Sequence, residues 1–241
     1  MTAPALLLLL SLLLPASARA GDILGDDFNE DDLHEYASLP KLRLSGQTGI
    51  SKWLHDPDSI SSGYDKYLNR LEMGQNLSTE LAYFFWPKGG LGVNWIWFIS
   101  RATGSGFEEK IGSKTLHTVS ERMSVWYLGP DFLTRLHITQ NTLLIGGLGV
   151  GYLNYTNTGI DNGFVFRATA ENYALQVHVG ADYSIFRFLA LGVEGRFVFS
   201  NTREMVYNHK KYRAEDPDNQ YMFYNWGLYR LELNAGLHFL L

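Results

Sequence analysis

A chain of 241 residues with no cysteine, 14 Tyr, 14 Phe and 6 Trp is long enough for one sizeable domain and carries no disulfide staples. Its formal net charge of −5 argues against nucleic acid as a partner, because it supplies no excess of cations to neutralise phosphates.

Met1 to Ala20 reads as a secretory signal peptide. Leu6 to Leu14 is apolar except for Ser11, Pro15 ends the run, and Ala18-Arg19-Ala20 gives a small-x-small cleavage site before Gly21. The run is about half of the ~20 residues a membrane-spanning helix needs. The absence of Lys or Arg ahead of it is a departure from the usual signal. No Cys follows the cleavage site, so no lipoprotein anchor is expected.

Residues 21–40 form an acidic arm, expected in the periplasm, with Asp22, Asp26, Asp27, Glu30, Asp31, Asp32 and Glu35. Such a run reads as a solvated segment. A calcium loop is the sharper alternative, but the spacing lacks the central Gly and terminal Glu that such a loop needs.

Residues 41–241 alternate with a period of two, the mark of strands with one oily and one polar face. Leu42, Leu44, Gly46, Thr48 and Ile50 oppose Arg43, Ser45, Gln47 and Gly49. Leu77, Thr79, Leu81, Tyr83 and Phe85 oppose Asn76, Ser78, Glu80, Ala82 and Phe84. Leu91, Val93, Trp95, Trp97 and Ile99 give a third outward row. A fourth strand between Thr118 and Pro130 has a less defined register, because Met123, Val125 and Tyr127 compete with Trp126 and Leu128 for the apolar face.

The fifth strand, Thr142 to Asn154, sets Leu144, Leu148, Val150 and Tyr152 against Gly147, Gly149 and Gly151. Inward glycines make room for bulky neighbours across a lumen. A dinucleotide loop would need a helix after its glycines, whereas Tyr152 to Thr156 continues as strand. The sixth strand opposes Tyr173 to Ile185 with a row including Gln176, His178 and Asp182, and the seventh sets Leu189, Leu191, Val193, Phe197 and Phe199 against Gly192, Glu194 and Arg196. The eighth, Tyr229 to Leu241, runs its apolar row to the last residue.

The links alternate as well. Pro87 to Gly90 and Phe186 to Phe188 are short and Asp131 to Asn141 is intermediate, whereas His55 to Gly74, Ala102 to His117, Thr156 to Thr169 and Asn201 to Tyr221 are long and polar. Short turns at one end and long loops at the other characterise membrane barrels. Strands of about ten residues cross the hydrocarbon layer when tilted, and only closure satisfies every backbone N–H and C=O there. The fold class expected is therefore all-β, an eight-stranded antiparallel transmembrane β-barrel with an up-and-down meander. Its last strand should pair with the segment near Lys41.

Asn234-Ala235-Gly236-Leu237-His238-Phe239-Leu240-Leu241 resembles the C-terminal assembly signal of Gram-negative outer-membrane proteins, through Asn234, Gly236, Phe239 and Leu241. A final Leu stands where an aromatic is commoner. The stretches Tyr83 to Gly92 and Tyr127 to Pro130 are similar to those of small outer-membrane β-barrels of the OmpA/OmpX-like class, especially the porin-family barrels of Bacteroidetes. The resemblance spans about Lys41 to Leu241 and is specific for architecture. It implies residence in the Gram-negative outer membrane, contact with its lipid and lipopolysaccharide, and handling by the barrel-assembly machinery.

Arg43, Arg196 and Arg230 share the expected interior with Glu80, Asp182, Glu194 and Glu232, and Arg122 is added from the fourth strand. In a lumen just wide enough for its side chains, such charges must pair. A polar plug is the expected outcome; a gated small-solute pore is the alternative. His178 is expected as a hydrogen-bonded interior residue.

An enzyme would place His beside Ser or Asp at the outer rim. The candidates are His55 with Asp56 and Asp58, His117 with Ser120, and His209 with Glu215, Asp216 and Asp218. None has a spacing that defines a known site, so neither catalysis nor a cofactor or metal is expected. The fourth long link, with Tyr207, His209, Lys210, Lys211, Tyr212 and Arg213, is the candidate surface for an extracellular ligand of unspecified chemistry.

Overall fold

The computed structural model describes residues 40–54, 64–107, 117–139, 141–202, 204–213 and 226–241, all within the compact unit Pro40–Leu241. The signal peptide and the acidic arm up to residue 39 lie outside the described residues.

Eight long strands form the wall: β1 (Leu42–Trp53), β2 (Met73–Phe84), β3 (Gly89–Phe107), β4 (His117–His137), β5 (Thr142–Asp161), β6 (Phe164–Phe186), β7 (Leu189–Thr202) and β11 (Arg230–Leu240). Between the last two lie the short strands β8 (Glu204–Tyr207), β9 (Lys210–Arg213) and β10 (Trp226–Gly227). A helix α1 (Tyr64–Glu72) precedes β2. Each long strand pairs antiparallel with its neighbour in sequence, and β11 pairs with both β7 and β1, closing the ring. The closing ladder reaches the terminus: Leu42 N donates to Leu241 O and Leu241 N donates to Leu42 O, each at 2.8 Å. The apolar chain end is thus a seam of the wall.

Alternation decides which face goes where. In β1, β2 and β11 buried and exposed residues follow each other almost without interruption. Leu44, Leu81, Leu91, Val93, Leu148, Val193, Leu233 and Phe239 all stand exposed on the outside. Their outward row replaces water by lipid, which is the only solvent in which so much exposed apolar surface is stable. Aromatics gather at the short-turn end, where Phe85 stands edge-on to Trp86 at 4.7 Å and Phe186 stacks on Phe188 at 5.8 Å.

Two expectations about boundaries need correction. The fourth strand does not stop at Pro130 but runs to His137, so most of the expected Asp131 to Asn141 link is wall. A proline lacks the N–H a ladder uses. Here the β4–β5 pairing skips Gly129 and Pro130 and resumes at Asp131↔Gly149, while Val93↔Pro130 persists on the other side. The register of β4 is also settled: Met123, Val125 and Tyr127 are buried inside and Leu128 is exposed. Second, Thr156 to Thr169 is no loop. The strands β5 and β6 continue to a two-residue turn, Asn162-Gly163, whose positive φ values of 47° and 84° are those a tight hairpin turn demands. The β8–β9 hairpin likewise turns on Asn208 and His209, both with positive φ.

Heat-modifiable migration follows from a closed ladder. The folded protein in detergent is expected to run faster on unboiled than on boiled gels; equal mobility together with solubility in plain buffer would contradict a membrane barrel.

Candidate functional site

The interior is layered. At the short-turn end, Ala82, Phe84, Leu133, Leu143 and Ile145 form a small apolar cluster. Arg135 lies over the Phe84 ring at 4.1 Å and donates to Pro87 O at 2.7 Å, fixing the turn beneath it. At the opposite end a larger cluster includes Trp53, Ile96, Phe98, Val125, Tyr127, Leu153 and Tyr155. Tyr67 and Leu71 of α1 join it. The helix therefore seals this mouth with its own apolar face, and the Tyr67 hydroxyl donates to Glu121 at 2.5 Å. Trp53 meets Phe98 and Tyr155 edge-on at 5.8 and 6.3 Å.

Between the two clusters lies an ionic layer. Arg43 bonds Glu80, reaches Asp182 Oδ2 at 3.1 Å and stands 2.8 Å from His238 Nδ1. His238 Nδ1 is also 2.6 Å from Asp182 Oδ1, and its Nε2 is 2.9 Å from Gln47 Nε2. Arg196 donates to Glu194 Oε1 at 2.6 Å and lies 3.5 Å from Glu232 Oε2. Arg230 donates to Glu232 Oε1 at 2.6 Å from Nε and packs its guanidinium 5.1 Å from the Phe98 ring centre. Asp131 accepts from Gln176 at 2.7 Å and Asn94 at 3.3 Å. All of these charged groups are at most 3 % exposed.

The structure brings together Arg43, Glu80, Asp182, Glu194, Arg196, Arg230 and Glu232, but not Arg122. Arg122 is exposed, opposite Arg101 on β3 and Thr158 on β5, because the β4 register turns even-numbered residues outward in this stretch. In its place the network contains Asp131, which sequence reasoning leaves in a link, together with His178 and His238. The Gly147-Leu148-Gly149 alternation is a usable signal: a Cβ at Gly149 would collide with the Asp131 carboxylate and one at Gly147 with the His178 ring.

The rim residues are more dispersed. Tyr207 is half-buried and stacked on Phe166 at 5.8 Å, and desolvation followed by the Asp161 and Glu121 charges raises its phenol pKa. Lys210 stands 5.3 Å from the Tyr212 ring centre, Lys211 pairs with Glu204 at 2.5 Å, and exposed His209 occupies the turn. Arg213 opposes Glu204 in the ladder. The Ser120 hydroxyl faces Thr103 Oγ1 at 3.3 Å. His55, Asp56, Asp58, Glu215, Asp216 and Asp218 lie outside the described residues.

Asn234 is buried in the wall's inner face, and Phe239 and Leu241 are exposed on the outer one. Gly236 is pressed against β1, where a Cβ would meet Gly46 O and Gln47 Cα. The terminal motif is thus built into the closing seam.

No protein-family model and no curated protein matches the chain. Among solved structures, a major outer membrane protein from Thermus thermophilus aligns over 82 % of this chain and 98 % of its own, with 14 % identity and a TM-score of 0.55. Neisserial surface protein A covers 83 % and 97 % at 11 % identity and TM-score 0.46. The outer membrane protease OmpT from Escherichia coli covers 83 % and 97 % at 11 % and 0.44. Fold and wall together define the class: a membrane-spanning β-barrel with the fold of outer-membrane proteins. Its own ring has eight long strands, and in fold it is similar to the major outer membrane protein from Thermus thermophilus.

Proposed function

We propose that this barrel is non-enzymatic and plugged, with a structural or surface-interaction role in the outer membrane. The observation that carries this reading is the layered interior. Apolar clusters at both ends flank a layer of paired charges, so an ion crossing the lumen would have to leave water twice, at a cost of several kcal/mol each time. The rim supports the surface role. The β5–β6 ladder is 20 residues long on β5, about twice the ~9–11 a tilted strand needs to cross the hydrocarbon layer. It therefore carries Phe164 and Val165, 79 % and 74 % exposed, beyond the membrane on an extension of the sheet in which β4, β5 and β6 remain paired. Lipopolysaccharide and outer-membrane lipid are the proposed surroundings of that extension, and the barrel-assembly machinery is the proposed partner during insertion.

A narrow channel is the competing reading, favoured by the continuity of the ionic layer across the lumen. Reconstitution in planar bilayers separates the two. The expected record has no stable conductance steps. Ion-selective steps that vanish with Glu194→Gln or Arg230→Gln would overturn the plug. For the enzyme question, fatty acid released from purified lipopolysaccharide and lost in His209→Ala or His117→Ala would overturn the non-enzymatic reading.

A further inference from the structure

His178 stands in the ionic layer with acids on both sides of its ring. Nδ1 is 3.2 Å from Glu194 Oε2, while Nε2 is 3.3 Å from Asp131 Oδ2 and 3.9 Å from Glu80 Oε2. A neutral imidazole carries one proton, so it can serve only one of these sides; the other nitrogen then aims a lone pair at carboxylate oxygens. Something electropositive must stand between them. The choice is a second ring proton or a cation.

Several independent features favour a cation at Nε2. Glu80, Asp131 and His178 each offer a ligand atom, and the three atoms lie within 4.8 Å of one another. The separations from Nε2 are 3.3 and 3.9 Å, one equal to and one somewhat longer than the edge of a tetrahedron, roughly 3.3–3.5 Å, that bonds of about 2.0–2.1 Å produce. The surroundings are arranged as a metal's outer shell would be. Glu194 Oε2 stands 3.2 Å from the far ring nitrogen, on the side from which a carboxylate orients a ligating histidine. Asn94 and Gln176 both donate to Asp131 Oδ2 and Arg43 holds Glu80 through Oε1. Glu80 Oε2, the oxygen nearest Nε2 on that side, is left buried with no hydrogen-bond partner. The inner face of β5 is bare opposite the site, because side chains at Gly147 and Gly149 would fill the space of His178 and Asp131.

Charge points the same way. Within this layer the guanidiniums of Arg43, Arg196 and Arg230 face the carboxylates of Glu80, Asp131, Asp182, Glu194 and Glu232, two more negative groups than positive ones. Arg43 is divided between Glu80 Oε1 and Asp182, and Arg196 is matched to Glu194 and Glu232. One divalent ion offsets that excess of two negative groups.

We infer that the lumen holds one divalent cation of the zinc class, ligated by His178 Nε2 and the carboxylates of Glu80 and Asp131. It ties β2, β4 and β6 together across the interior, and three protein donors leave the fourth tetrahedral position to water. This departs from the expectation of no metal drawn from the loop histidines. It is independent of whether the rim binds a partner.

The test uses the whole barrel, unfolded in denaturant with chelator, refolded in detergent with zinc chloride, dialysed and analysed by plasma mass spectrometry. About one zinc per chain is expected for the native sequence, and less than about a tenth overturns the inference in favour of a ring proton. Glu80→Gln, Asp131→Asn and His178→Gln should each refold without retaining zinc. Full retention by any of them that runs as folded on an unboiled gel would place the ion on loop histidines and overturn the inference. Glu194→Gln should keep the site and weaken it by about 10- to 100-fold. Should those ligand variants not refold, cobalt in the native barrel decides: strong visible bands of an enclosed four-coordinate ion support the site, and a pale six-coordinate spectrum overturns it.

Discussion

Arg43→Met is expected to destabilise the folded barrel by about 3–5 kcal/mol, the cost of leaving buried carboxylates without their counter-charge. Arg43 is the side chain on which most of the ionic layer converges, touching Glu80, Asp182 and His238 from β1. Its guanidinium is 2 % exposed, so water cannot replace it. Arg43→Lys should recover only part of the loss, since an ammonium is a single point of charge and cannot fork between β2 and β6. Restoring balance from the other side, with Asp182→Asn in the Arg43→Met background, should recover more. The measurement is the folded fraction across a urea series, read from unboiled gels with chelator present throughout so that metal does not enter the comparison. A change below about 1 kcal/mol, or no recovery in the double variant, would mean the charges are solvated and the lumen open.

That outcome would bear directly on function, because plug and pore use the same residues. Replacing a complete buried pair by apolar groups is often neutral, so the network does not owe its presence to stability alone. What it does provide is a unique register. A one-residue slip of β11 would turn Arg230, Glu232 and Asn234 into lipid and bring Leu231 and Leu233 inside. The penalty for lipid-facing charge near the midplane, about 2–4 kcal/mol per basic residue, protects the seam on which closure depends.

The fold is legible wherever lipid and a polar interior impose opposite demands on alternate residues. Strands β1, β2, β7 and β11 obey that rule, and their inner charges can be named without coordinates. Strands β3 and β4 break it in their outer halves. Ile96, Phe98, Val125 and Tyr127 face inward and are fully buried, because the mouth is sealed by an apolar cluster that includes α1. With both faces apolar, period-two reading loses its reference. Arg122 accordingly falls on the wrong face. Pro130 compounds the error by its usual meaning as a strand breaker, which hides Asp131 and with it one corner of the His178 site. The hairpin at Asn162-Gly163, by contrast, carries its signal in plain sight: an Asn-Gly pair between alternating segments marks a tight turn.

Gly151→Ala should cost about 1–3 kcal/mol or more and Gly46→Ala close to nothing, although both glycines sit in the barrel wall. At Gly151 a Cβ would stand 2.5 Å from Leu128 O, 2.7 Å from Gly129 Cα and 2.7 Å from the Tyr127 ring. Two of these three are backbone atoms of β4 and cannot rotate away, so the methyl group must push β4 and β5 apart next to the Gly129-Pro130 interruption in their ladder. At Gly46 nothing lies within 4 Å of the new atom, which points into lipid. There the substitution removes backbone freedom from the unfolded chain and is expected to be neutral or slightly stabilising, by up to about 0.5–1 kcal/mol. Urea midpoints of the two variants, measured side by side in the same detergent, give the comparison. Equal midpoints would show that the β4–β5 wall yields easily. A wall that yields beside Tyr127 could not hold the outer apolar cluster closed, and the plug reading would fall with it.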